Sequence, residues 1–215
     1  MWQGEIDRGH EAEVRAKIYE LLALGFSPPS EELMEVIKEG ETLSPWPGQE
    51  QVRTLRTFNR EELIPEYHRL FVGPGSLPAP PYESVYREGW TVMGETTVDV
   101  IRQYAEAGYT LAASFIDLPD HVVAELGFMS LLCEEEAQAW RADKEEDALA
   151  LLRREERFLS DHLAVWLPPF CDRVAVAAER EFYRVLAKLA RAYVLLDRER
   201  VMMLLQVLET SRVSL

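Results

Sequence analysis

Residues 66–87 read EYHRLFVGPGSLPAPPYESVYR, and they separate two parts of the chain in which apolar residues recur at helical spacing. A helix cannot continue far past Phe71, because Gly73-Pro74-Gly75 breaks the pattern and three further prolines fix φ and remove backbone donors. Residues that precede a proline are also pushed toward extended conformations. We therefore expect a stiff, non-helical segment here. A long ordered loop is often functional, although a rigid brace between two halves of a bundle would have the same composition.

Most of the remaining chain shows the 3.6-residue periodicity of amphipathic helices. Asp117 is a candidate N-cap with Pro119 in the first turn, and Thr96 or Thr97 could cap the helix that starts near Gly94. Pro168-Pro169 should interrupt a helix, and Asp197 should begin the last one. Helices are predicted at residues 10–25, 31–40, 49–59, 61–71, 94–107, 118–141, 143–167, 170–196 and 197–208.

These elements predict an all-α protein, about two thirds helical against a usual one third. We expect a compact single-domain helical bundle over residues 1–215, with a long, ordered, proline-rich loop between its N-terminal and C-terminal helices. The proline-rich stretch is the best candidate for a hinge, near residues 72–90.

Charge limits the classes of partner. The chain has 23 Lys and Arg against 38 Asp and Glu, a formal net charge of −15. Nucleic-acid binders need a concentrated basic surface, and anionic membranes attract basic segments. The composition therefore argues against both partners and favours a basic one, although much of the charge only solvates helices.

The cysteines and the hydropathy pattern indicate the compartment. Cys133 and Cys171 lie in apolar helical patterns without CxxC or zinc-site spacing, which is typical of free buried thiols in a reducing compartment. The N-terminus does not resemble a secretory signal, and no apolar run approaches the length of a membrane span. We expect a cytoplasmic protein with no membrane insertion and no cofactor.

Asp120, His121 and Glu125 form the only compact ionisable cluster at helical spacing. Asp120 could be a capping residue and His121 a core-edge side chain held by Glu125. A metal site would have too few ligands for closed zinc coordination. The two carboxylates could instead lie at a groove mouth and bind arginine. Composition and spacing leave these interpretations open.

Catalytic motifs of other kinds are missing from the sequence. Ser84 has no GxSxG context, and Gly73-Pro74-Gly75 is not followed by the lysine of a phosphate-binding loop. Aromatic side chains could line a groove for an apolar peptide, and Tyr82 and Tyr86 are the better surface candidates because they lie in the non-helical segment. The aromatic residues near this segment are Tyr67, Phe71, Tyr82, Tyr86 and Trp90.

Two motifs in this order resemble those of the TorD/DmsD/NarJ family of cytoplasmic molybdoenzyme chaperones. The first is an E-Y-x-x-L-F-x-G-P segment followed by prolines and S-V-Y, and the second is P-D-H before an apolar helix. The matching residues are Glu66, Tyr67, Leu70, Phe71, Gly73, Pro74, Pro80, Pro81, Ser84, Val85, Tyr86, Pro119, Asp120 and His121. The resemblance is specific over residues 60–135. Some family members have tryptophan where this chain has Gly75, Tyr82 and Tyr86, so its groove could be less bulky and its client different.

The resemblance implies an all-helical, non-enzymatic chaperone for a molybdopterin oxidoreductase subunit. It would bind the twin-arginine leader or the apo form of the catalytic subunit and assist cofactor insertion before export, as a monomer or a domain-exchanged dimer. Glu83 and the two carboxylates of the cluster would meet the arginines. The peptide-binding residues so implied are Leu70, Phe71, Gly73, Pro74, Pro80, Pro81, Tyr82, Glu83, Ser84, Tyr86, Pro119, Asp120, His121 and Glu125.

Two other functions stay open at this point. One is a helical adaptor or assembly protein of a redox complex that binds no leader. The other is a metal-dependent enzyme that uses Asp120, His121 and Glu125.

Overall fold

The computed structural model describes residues 7–40, 49–89 and 92–213, of which about three quarters are helical. No strand occurs in these ranges, so the all-α prediction is confirmed. Two tryptophans lie outside the described residues. The sequence suggests that Trp46, in a loop at residues 41–48, packs onto the bundle, and Trp90 is one of the aromatic groove candidates named above.

Among the described residues, four helices precede the proline-rich stretch, and a π turn over His68–Val72 ends the last of them. Gly73 N–H donates to the His68 carbonyl at 2.7 Å, which closes this turn. As predicted, the helix does not continue past the glycine-proline pair. The four helices are α1 (Arg8–Gly25), α2 (Glu31–Gly40), α3 (Gln49–Leu55) and α4 (Arg60–Tyr67).

The C-terminal part includes the helices α7 (Val122–Arg141), α9 (Ala164–Ala177) and α10 (Glu181–Val213), and α7 packs along α1. The buried side chains of α1 and α7 form a hydrophobic cluster with those of α9 and α10, including Tyr19, Leu22, Met129, Trp166 and Phe182. The remaining helices are α5 (Glu83–Arg87), α6 (Glu95–Glu106) and α8 (Glu145–Phe158).

One predicted helix start and one predicted helix cap were wrong. Helix α7 begins at Val122 with His121 as its N-cap, because His121 is extended and its Nδ1 accepts the Val123 N–H at 3.2 Å. Pro119 therefore precedes the helix. Helix α6 is capped by Gly94, and the candidate caps Thr96 and Thr97 are buried within it.

Two predicted helix breaks, at Pro168-Pro169 and at Asp197, were also wrong. Pro168 and Pro169 lie inside α9, and the irregularity comes earlier, as a π turn over Leu159–Leu163. An internal proline costs a helix about 3 kcal/mol, which burial of Trp166, Leu167 and Phe170 on α9 offsets here.

Asp197 lies in the middle of α10 and does not begin a new helix. The break in this region comes before α10, where Ala178 is extended. Asp197 is buried, and it accepts hydrogen bonds from the Arg15 Nε at 2.7 Å and the Tyr19 hydroxyl at 2.8 Å.

Arg15 is a buried arginine that joins four helices. Its guanidinium also binds Glu136 at 2.7 Å and Glu155 at 2.5 Å, so that α1, α7, α8 and α10 meet at one side chain. Burial raises the pKa of Glu155 to about 8 although Arg15 opposes the rise, and burial also raises the pKa of Glu136. The Arg15 guanidinium therefore faces three carboxyl groups. Burial favours the neutral form of two of them, Glu136 and Glu155.

Candidate peptide-binding site

The two sequence motifs meet in space at a short antiparallel bridge between Tyr82 and His121. Val122 N–H donates to the Pro81 carbonyl at 2.9 Å, and Glu83 N–H donates to the Asp120 carbonyl at 3.0 Å. These bonds hold the end of the proline-rich stretch against the start of α7. The extended conformation that the prolines impose is what lets the stretch pair with another segment.

Asp120 is fully buried beneath this bridge. One of its carboxylate oxygens accepts the Ser84 N–H at 2.9 Å, at the N-terminus of α5, where a carboxylate is electrostatically favoured. The expectation that Asp120 lies at a groove mouth and meets arginine there does not match this burial. The side chain instead fixes α5 to the start of α7.

Glu125 and Glu83 are also buried, so they too are not at a groove mouth. Trp166 Nε1 donates to Glu125 at 2.7 Å, and Glu83 binds Arg87 at 2.6 Å. Burial raises the pKa of Glu125 well above its ordinary value, and the neighbouring Glu83 adds to the rise. Burial therefore favours the neutral form of Glu125, which binds Trp166 and Glu83 rather than His121.

Sequence reasoning missed His162, which lies beneath the same site. Its Nδ1 is 2.8 Å from Glu83, and its Nε2 is 3.1 Å from Asp99 and 3.0 Å from the Gln103 amide nitrogen. A buried network thus connects α5 to α6 and to the π turn before α9. The signal in the sequence is a histidine inside the apolar run at residues 158–167.

The accessible part of the site consists of Tyr82, Phe115, Asp117, Pro119 and the edge of His121, and we call it the bridge surface. The His121 ring lies 5.3 Å from the Tyr82 ring and 6.3 Å from the Phe115 ring. Its Nε2 is 3.8 Å from Asp117, whose side chain is 40% exposed. Asp117 is thus the carboxylate that a partner can reach. The sequence presented it only as a helix cap.

The protonation states at the bridge surface follow from burial. Burial lowers the pKa of His121 although Asp117 and Asp120 oppose the change, so the ring is neutral at pH 7. The ring therefore titrates below the ordinary histidine pKa of about 6.5. Burial and a hydrogen bond with Asp117 raise the pKa of the Tyr82 hydroxyl, which stays protonated as a donor.

The other predicted site residues lie either in the hydrophobic core or at the turn after α4. Leu70 and Phe71 are buried, and Phe71 packs on the rings of Phe170 and Tyr183, so neither is positioned to meet a peptide. Pro80, Pro81 and Ser84 are buried as well, whereas Pro74 is exposed and Gly73 partly so at the turn after α4. Tyr86 is partly buried against Trp166, and it belongs to α5 and not to a non-helical segment.

Glu66 in the first motif has a structural role. It binds Arg69 through two hydrogen bonds, and it accepts the Glu179 and Arg180 N–H groups at 2.5 and 3.2 Å, just before α10. The motif thus positions the N-terminus of the longest helix.

Within the described ranges, no group of three or more His, Cys, Asp and Glu side chains is arranged to hold a metal ion. None of the helices described is both long and apolar enough to cross a membrane.

Comparison with known proteins gives concordant matches. The sequence model of the nitrate reductase delta subunit family matches residues 40–172. The Tat proofreading chaperone DmsD of Salmonella typhi is 28% identical over 175 residues, which cover 77% of this chain and 79% of that protein. The perchlorate reductase assembly chaperone protein of Dechloromonas aromatica is 26% identical and is covered to 90% of its length by 88% of this chain.

The fold also has a counterpart among solved structures. A chain from Archaeoglobus fulgidus, named as a redox enzyme maturation protein, superposes with a TM-score of 0.60 at 23% identity. The alignment covers 90% of this chain and 96% of the archaeal one.

Proposed function

We propose, because this chain belongs to the nitrate reductase delta subunit family, that it is a maturation chaperone for the catalytic subunit of a molybdoenzyme. Relatives that align over most of their length are named as a Tat proofreading chaperone and as a reductase assembly chaperone. The role is one of binding, and no catalytic step is assigned to the chain.

The observation that carries the proposed binding site is the bridge between Tyr82 and His121. It brings the two sequence motifs to one place and presents two aromatic rings beside one exposed carboxylate. An aromatic surface suits the apolar part of a peptide, and a carboxylate suits arginine. The twin-arginine leader of the client subunit has both features and is the proposed ligand.

Electrostatics favour this ligand over longer distances. The net charge of −15 attracts a basic segment and raises the rate of encounter. Binding before export would place the protein in the cytoplasm. It would act as a monomer or as a dimer exchanged at the hinge near residues 72–90.

Titration calorimetry with the twin-arginine leader of the molybdoenzyme encoded beside the gene tests this proposal. Wild type should bind saturably. Asp117→Asn should weaken binding by about 1 kcal/mol, or about fivefold, the scale of an exposed ion pair.

The matched control is Asp143→Asn, because Asp143 is also exposed and its φ of 55° is one that asparagine tolerates. Asp143→Asn should bind like wild type. An equal loss of leader affinity in both variants would show that only the net charge of the protein matters. Absence of leader binding by wild type would refute leader recognition.

A further inference from the structure

A second surface lies next to the bridge surface, in a groove of about 510 Å³ that α1, the segment at residues 109–115 and α7 enclose. We call it the α1–α7 groove. Its walls are mainly apolar and include Ala23, Leu24, Leu111 and Phe115. Leu111 and Leu131 are exposed, so the groove presents apolar side chains to solvent in the described structure.

The floor of the groove is one stripe of α7, made by Val123, Gly127, Leu131 and Glu134. These residues recur at helical spacing and span about 16 Å at 1.5 Å per residue. A Cβ atom added at Gly127 would meet nothing within 4 Å. The glycine therefore keeps the middle of the floor open, and no packing of the chain itself requires it.

The charged side chains that line the groove are all acidic. Glu20 and Glu134 line the groove, and none of the described lining residues is lysine or arginine. Next to it, the Tyr109 hydroxyl donates to Glu135 at 2.6 Å, which ties one wall to α7. An occupant should therefore be apolar along its length and free of acidic residues, with basic residues favoured.

The groove is continuous with the bridge surface. Phe115 lines the groove and also contacts the His121 ring at 6.3 Å, and Val123 lines the groove while its N–H donates to His121 Nδ1. A single peptide can thus contact Asp117 at one end and continue into the groove.

We propose that the α1–α7 groove binds the apolar segment of the client leader as a helix of about three turns, with the arginines held at the Asp117 end. This inference rests on the proposed function. A helix satisfies its own backbone hydrogen bonds, which walls made of apolar side chains cannot do for an extended peptide. Three turns match the length of the open floor.

Filling the groove from the protein side tests the inference. Gly127→Leu places a side chain in the open floor and should weaken binding of the leader peptide by about tenfold or more. Leucine is a better helix former than glycine, so thermal stability should not fall. Gln138→Leu adds the same side chain to an exposed position of α7 outside the groove and should bind like wild type.

A second peptide separates the two proposals. In it, serine and glycine replace the apolar segment while the arginines remain, and wild type should bind it at least about tenfold more weakly. If Gly127→Leu lowers stability, the test uses Leu131→Gln instead, which removes an exposed apolar side chain from the floor of the groove and should weaken leader binding.

If wild type binds the leader, and neither the groove variants nor loss of the apolar segment weakens that binding, the groove is not the binding site of the apolar segment. The proposed function would still stand. Failure of wild type to bind either peptide would overturn the proposed function itself.

Discussion

Asp120 supports the bridge surface from below, through its bond to the Ser84 N–H at the start of α5. Asp120→Ala should lower the free energy of unfolding by about 1–2 kcal/mol, because it removes a helix cap. Leader binding should weaken as a consequence, since Tyr82 then loses its fixed position. Chemical denaturation measures the first effect and calorimetry the second.

Asp120→Asn is the control, because asparagine caps a helix about as well as aspartate does. Its stability and leader affinity should both stay close to those of wild type. If Asp120→Asn loses affinity as fully as the alanine variant while remaining stable, the negative charge itself must contact the peptide.

The sequence left two positions open for the second motif, a cap with a core-edge histidine or a pair of carboxylates at a groove mouth. In the structure Asp120, His121 and Glu125 are all buried, and Asp120 and His121 both accept backbone N–H groups at helix starts, which is closer to the first interpretation. Charge type and helical spacing cannot show burial, because burial depends on segments far away in the chain. The accessible carboxylate is Asp117, whose exposure depends on residues 117–121 not being helical.

Local sequence signals predicted which segments form helices better than they predicted the first and last residue of each helix. The apolar periodicity of α1 and the glycine-proline stop after α4 were sufficient to place those helices closely. Helix α7 begins later than predicted because the bridge to Tyr82 holds residues 120–122, a pairing of segments about 40 positions apart. Helix α10 continues through Asp197 because Arg15 on α1 neutralises that carboxylate in the core. The apolar periodicity of a single segment cannot predict either the bridge or the ion pair, because both join residues that are far apart in the sequence.

The Arg15 cluster is the feature that joins the molecule as a whole. Arg15→Met should lower the free energy of unfolding by about 3–5 kcal/mol, because it leaves buried carboxylates without their cation. The control is Arg153→Met, which breaks an exposed pair with Glu209 and should cost at most about 1 kcal/mol. Similar small losses in both variants would contradict a stabilising role for the cluster.

The same cluster should make stability depend on pH. The pKa of Glu155 is about 8 in the folded protein, above its unfolded value, so the folded state retains a proton that the unfolded state releases. Its contribution is complete below the ordinary glutamate pKa of about 4.3 and is lost as the pH rises through 8. Glu155→Gln keeps the side chain neutral and should flatten this dependence in denaturation curves recorded between pH 5 and 9. An unchanged slope would contradict the assignment to Glu155.

The account as a whole depends on a leader peptide lying on the bridge surface. Photo-cross-linking tests this most directly, with a benzophenone amino acid placed at Tyr82 and, as a control, at Val176, which is 89% exposed on α9. The account predicts that the leader cross-links efficiently from position 82 and not from position 176. Equal labelling from both positions, or labelling from position 176 alone, would contradict it.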